Sequence, residues 1–345
     1  MRNILSHTSM RGIASLGVVL FHLEASLALE NKTDQFTMFV KNSFVLVDLF
    51  FILSGFILSM AYSHYLTSHV NKKDIKLFYI SRFARVYPLH IATLAFMMIL
   101  VLYSSGVSGV LGMATDIIQN IFLIHAWGLA DQYVFNFPSW SISVEMFAYL
   151  MFPIFSIYWR AMLPTYLVVI FLALFYAALY YNFGTIHVDE KFNLLRGIPS
   201  FLLGMVVYQY RNTVTSMSYL LLTIIQILSI FFILYIMHFN LNLFLLIPLF
   251  ALLVLSTWED RGLISKLLMP RWLVVLGDLS FTIYMLHIPI RNTMYYLLPH
   301  LPVNMSDILG QWTFVITVLI LTIITSFFVY HLYEMPARKY LKNKL

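Results

Sequence analysis

The chain has 345 residues, 61 % of them hydrophobic and 10 % charged, where a soluble globular chain carries about 25 % charged residues. That balance describes a polytopic membrane protein with little room for a soluble domain. The lack of cysteine excludes disulfides, thiolate zinc sites, iron–sulfur clusters and a cysteine acyl-intermediate, and the net charge of +6 reflects topology rather than nucleic-acid binding.

Apolar stretches long enough to span lie near residues 10–29, 43–62, 86–105, 139–158, 165–183, 194–210, 218–238, 241–257, 273–291 and 312–333. They predict an all-α fold, a transmembrane bundle of about ten helices. An eleventh stretch, 106–128, is interrupted by Asp116, Gln119, Asn120 and His125. If it does not span, only Lys32, Lys41, Lys191, Arg196 and Arg291 of the 21 Lys and Arg fall outside, a split of 16 to 5. If it does span, the split becomes 10 to 11. The positive-inside tendency therefore selects ten spans with both termini cytosolic, and makes 106–128 a re-entrant or interfacial element on the outer side. No signal-peptide layout, internal repeat or linker is visible, so residues 1–345 read as one membrane domain with no fused soluble domain.

The first predicted span carries Arg11 and His22. At ~100° per residue, eleven steps return to within ~20° of the start, so the two share a face ~16 Å apart along the axis. A guanidinium in a membrane helix costs roughly 2.5–3.5 kcal/mol on the lenient scales and normally faces protein or water. The second span holds Asp48, deep enough to need a partner, either as a structural ion pair or as part of a site, with Ser54-Gly55 set for close packing. Arg82 and Arg85 stand on one helical face at the inner mouth of the third span. Forked guanidiniums suit phosphate, and with Lys72, Lys73 and Lys76 upstream they offer a seat for a polyphosphorylated cofactor. Ordinary headgroup contact accounts for the same charges.

The fourth span opens Trp140-Ser-Ile-Ser143-Val-Glu145-Met-Phe-Ala-Tyr149, which lines Ser141, Glu145 and Tyr149 along one face. Ile142 stands three residues before Glu145, so no capping box explains the acid. It either favours the helix dipole or orients a catalytic histidine, as in triad logic. His90, His125, His238, His287 and His331 occur singly without metal-ligand spacing, and read as hydrogen-bonded bundle or interfacial residues. No metal site is expected.

Together these motifs resemble the acyltransferase family 3 of integral membrane proteins, bacterial members of which O-acylate surface glycans. The resemblance rests on Arg11 and His22 separated by ten residues, Val47 to Phe56, Arg82 to Pro88, Trp140 to Glu145, Leu279 to His287, and Tyr333-Glu-Met-Pro336, in family order along nearly the whole chain. Many members carry a second acid after Glu145, where this chain has Met146. Some carry a fused extracytoplasmic domain that is not seen here.

The resemblance implies an O-acetyltransferase of the bacterial inner membrane with acetyl-CoA as donor, its phosphates near Arg82 and Arg85, and Arg11 lining the donor channel. It implies His22 as general base or transient acyl carrier, and Glu145 holding or polarising that histidine or the acceptor. Trp140 would stack on a sugar, with Asp48, Ser143 and Tyr149 in supporting positions. The implied partners are the lipid bilayer and a glycan acceptor. A different acyl donor such as succinyl-CoA, a small-molecule acceptor, and the oligomeric state stay open. A transporter with Arg11, Asp48 and His22 along its path is the rival class, disfavoured because no inverted repeat is visible.

Overall fold

The computed structural model describes residues 3–24, 34–62, 71–130, 132–162, 164–188, 190–301 and 303–344. Of the charges used to orient the chain, Arg2, Lys32 and the side chain of Arg160 lie outside the described residues, as do positions 25–29 of the first expected span. The architecture is all-helical, with no strand among the described residues. In chain order the helices are α1 (Leu5–Glu24), α2 (Asp34–Lys41), α3 (Leu46–Ala61), α4 (Lys72–Gly112), α5 (Ala114–Ile121), α6 (Trp140–Met162), α7 (Thr165–Phe183) and α8 (Asn193–Gln209). Then follow α9 (Tyr219–His238), α10 (Leu246–Thr257), α11 (Leu263–Leu267), α12 (Arg271–Asp278), α13 (Ser280–Leu297), α14 (Ile308–Val329) and α15 (Met335–Lys344).

Six helical stretches among the described residues are long and apolar enough to cross a membrane. They become seven if α12 and α13, bent by 62° at their junction, form one span. The expected count of about ten is therefore not reached by length and hydropathy. The shortfall lies in α1, α8 and α10, the first through its polar composition and the other two through their length. Helix α1 hides Ser6, His7, Thr8, Ser9 and Ser15 inside the protein, so its composition answers to neighbouring helices rather than to lipid. Helix α8 is only 17 residues long and α10 only 12. By contrast α7 is 11 % buried, against 61 % for the stretch ending in α3, so α7 lies on the perimeter of the bundle and α3 in its interior.

Segment 106–128 provides no spanning helix, in line with expectation. Gly106 leaves helical geometry at φ 68°, a left-handed value glycine tolerates, and the eight-residue α5 is far too short to cross. The chain after α5 is tied to the bundle instead. Ser143 Oγ donates to the Leu123 carbonyl at 2.6 Å and accepts from Ala126 N–H at 3.1 Å, while Trp127 Nε1 donates to the Ser143 carbonyl at 3.0 Å.

Interior helices approach closely. Gly55 of α3 and Gly204 of α8 face each other's backbones so tightly that a Cβ at either would overlap a carbonyl across the interface. The same pair of helices is pinned by Arg196, which donates to Asp48 Oδ2 through Nε at 3.0 Å and Nη2 at 2.7 Å. Ser200 Oγ donates to the other carboxylate oxygen at 3.0 Å. Asp48 and Arg196 are both buried, so Asp48 has the ion-pair partner that its depth demanded. The start of α1 is fixed by Asp260, whose carboxylate accepts from Leu5 N–H and Ser6 N–H at 3.1 and 2.9 Å.

Candidate active site

Helices α1, α3, α4, α6 and α13 enclose a cavity of about 800 Å³, counting its open mouth. Arg11, Arg82, Arg85, Glu145 and Tyr149 all line it. Arg11 Nη2 donates to Ser280 Oγ at 3.1 Å. The Arg85 guanidinium lies 5.5 Å over the Phe281 ring and 3.7 Å from Glu334 Oε1. Arg82 sits between the rings of Tyr62 and Tyr149, 5.9 and 5.8 Å from their centroids. Its Nη2 donates to Ser81, but its buried Nε has no hydrogen-bond partner among the described residues.

Glu145 Oε1 accepts from Ser54 Oγ at 2.7 Å and from Tyr149 OH at 2.6 Å. Glu334 stands in a π-helical turn over Tyr330–Glu334, a backbone form often met at functional sites. It accepts from Thr282 Oγ1 at 2.5 Å and is 2 % exposed. Three guanidiniums thus face the lining carboxylate Glu145, with Glu334 behind Arg85. A low-dielectric space with surplus fixed cations is suited to an anion.

Ser141 and Tyr284 also line the cavity. Their hydroxyls are 2.7 Å apart and both reach the Pro138 carbonyl, at 3.1 and 2.9 Å. One turn beyond Tyr284 on α13 is His287, whose Nε2 lies 2.9 Å from His22 Nδ1. The ring centroids are 4.9 Å apart with 23° between the planes, a nearly coplanar, edge-to-edge pair. Phe137 meets His22 edge-on at 4.9 Å, and Arg291 Nη1 donates to the His22 carbonyl at 3.0 Å.

Comparison with known proteins matches this arrangement to a family. The profile of the acyltransferase 3 family, described as an acyltransferase domain, matches residues 7–331, from before Arg11 to the turn that holds Glu334. The chain belongs to the acyltransferase 3 family. Acyltransferase MdmB of Streptomyces mycarofaciens is 34 % identical over 115 residues, which is 32 % of this chain and 27 % of that protein. The chain thus spans about a quarter of the length of that curated relative. No solved structure matches.

For this acyltransferase 3 member, the residues predicted from sequence fall into two groups. Arg11, Arg82, Arg85, Glu145 and Tyr149 converge on one cavity. His22 does not line it, although it shares α1 with Arg11. The sequence left Glu145 to hold or polarise either His22 or the acceptor; in the structure Glu145 is bound by Ser54 and Tyr149, and His22 is bonded to His287. The physical reason is register, since Glu145 enters one turn below the Ser141 level on α6 whereas His287 rises one turn above Tyr284 on α13. Trp140 lies over Arg196, 5.5 Å from ring centroid to guanidinium, and 6.2 Å from the Phe51 ring. Ser143 holds the segment after α5 rather than the cavity. Sequence reasoning missed His287, Tyr284, Ser54 and Glu334 as members of these groups. Each lies inside a motif quoted for the family resemblance, and the i, i+3 spacing of Tyr284 and His287 was the available signal.

Proposed function

We propose that the chain is an O-acyltransferase of the bacterial inner membrane, moving an acetyl group from cytosolic acetyl-CoA to a hydroxyl of a cell-surface or lipid-linked glycan. The observation that carries this reading is the single cavity where Arg11, Arg82 and Arg85 outnumber the lining carboxylate Glu145. The unpartnered, buried Nε of Arg82 fits a multiply charged phosphate ligand, since forked guanidiniums offer parallel charge-assisted hydrogen bonds to its oxygens. Arg82 and Arg85 would hold the phosphates of the donor and Arg11 the channel beyond them. The donor supplies a thioester. His22 would take the acceptor hydroxyl proton as the new C–O bond forms and the C–S bond breaks, and a proton then passes to the departing sulfur. Both termini lie in the cytosol in this reading, which puts the arginines inside and His22 towards the outer face.

The test is transfer from acetyl-labelled acetyl-CoA by purified protein in liposomes, with host lipid-linked glycans supplied. Label is expected on glycan with the wild type. His22→Ala should lower the rate by about 10²–10⁴-fold, the usual contribution of a positioned base. Unaltered transfer by a well-folded His22→Ala protein overturns the role of His22. If succinyl-CoA or a longer thioester displaces the acetyl donor at lower concentration, the donor assignment changes while the acyl transfer stands.

A further inference from the structure

The bond between His22 Nδ1 and His287 Nε2 at 2.9 Å requires one ring to supply N–H and the other a lone pair, because a neutral imidazole has one of each. The reading of His22 as general base decides which. The His287 ring is fully buried, and its Nδ1 has no hydrogen-bond partner among the described residues. His22 Nδ1 is engaged with His287 Nε2, so the nitrogen of His22 left to take a hydroxyl proton is Nε2, which must then be bare. Nε2 of His287 is then the acceptor. His22 Nδ1 then carries the proton and donates.

We propose that His287 is a positioning residue for His22: it accepts the Nδ1 proton and holds His22 in the tautomer whose Nε2 is bare. The proposal rests on the reading of His22 as general base. The acceptor hydroxyl proton adds to Nε2, and the imidazolium so formed keeps its Nδ1–H bond to His287. A neutral ring thereby occupies the place a carboxylate fills in a Ser-His-Asp triad. Among the described residues no carboxylate forms an ion pair with either histidine; the neighbours of the pair are Arg291, Phe137 and the Tyr284 ring, the last 5.8 Å from His287. The arrangement also explains why Glu145 can be engaged with Ser54 and Tyr149.

Two substitutions separate an acceptor from mere packing. His287→Gln can keep a side-chain oxygen near the position of Nε2, whereas His287→Leu fills space without an acceptor. His287→Leu is expected to lower kcat about ten- to a hundredfold, the cost of leaving a buried donor unpaired, with the KM for the acyl donor unchanged. His287→Gln should restore most of the loss. The pH profile of kcat should move in His287→Leu and return towards wild type in His287→Gln. Equal activity and an identical pH profile in both variants, while His22→Gln is inactive, overturn the proposal and leave the acyltransferase reading intact. Transfer indifferent to His22 overturns both.

Should His287→Leu fail to fold, the wild type decides. Solid-state ¹⁵N spectra of histidine-labelled protein in liposomes, with His22 identified by its loss in His22→Gln, should show Nδ1 protonated and Nε2 bare. A proton on Nε2 of His22 in the resting protein overturns the proposal without any activity measurement.

Discussion

The two ends of α1 stand in different chemistry although they share one helical face. At Arg11 the walls are guanidiniums, aromatic faces and a hydrogen-bonded carboxylate, around an open space. At His22 they are a hydrogen-bonded imidazole, a phenyl edge and the Arg291 guanidinium that holds the His22 carbonyl. Fixed cations around a cavity select a ligand by charge. Paired neutral rings select the place of a proton. One helix can therefore serve both tasks only if its neighbours keep the two environments apart, and the Ser141–Tyr284 contact stands between them.

The largest predicted effect concerns the frame that fixes this separation. Helix α3 contributes Phe50, Ser54 and Ile57 to the cavity, and Asp48–Arg196 locks it to α8. Asp48→Asn leaves the Arg196 guanidinium buried without its counter-charge, which costs about 3–5 kcal/mol. The double variant Asp48→Leu, Arg196→Met removes both charges and should regain most of that loss. Thermal unfolding in detergent measures both. A single variant as stable as wild type would mean that the pair is not buried in the working protein.

The next effect separates the two ends directly. Arg82→Ala and Arg85→Ala should each raise the KM for the donor about ten- to a hundredfold, from the loss of a charge-assisted hydrogen bond of about 1.5–3 kcal/mol. The wild-type KM should rise with ionic strength more steeply than that of either variant. His22→Ala should act on kcat instead. If Arg85→Ala leaves donor KM unchanged and lowers kcat alone, the division between a charge-selecting end and a proton-handling end is wrong.

Which of this could be read from the sequence depended on range. Helix content, the shared face of Arg11 and His22, and the failure of 106–128 to span follow from local period and charge, and the structure agrees with each. The arginine pair and Glu145 were visible as costly residues in apolar helices. Their meeting in one cavity depends on the crossing of α4, α6 and α1, which no local pattern encodes. Span counting misled for a related reason. Hydropathy assumes lipid around each helix, and α1 is polar because protein surrounds it. His287 went unrecognised because a single histidine on an apolar helix has the same signature whether it packs or positions; only the 2.9 Å contact with His22 separates the two.

The smallest effect asks which end Glu145 serves. Tyr149→Phe removes one of the two hydroxyls that bond its Oε1, a change worth about 0.5–1.5 kcal/mol for a hydrogen bond to an acceptor that keeps another partner. Since Glu145 and Tyr149 share the cavity with Arg82, loosening the carboxylate alters the field met by an anionic ligand. The expected result is a change of about two- to tenfold in donor KM, with the pH profile set at His22 unmoved. Ser54→Ala, acting on the same oxygen, should behave alike. If either variant shifts that pH profile while donor KM stays constant, Glu145 acts on His22 across the Ser141–Tyr284 contact. The two ends of α1 would then form one continuous site rather than two joined in series.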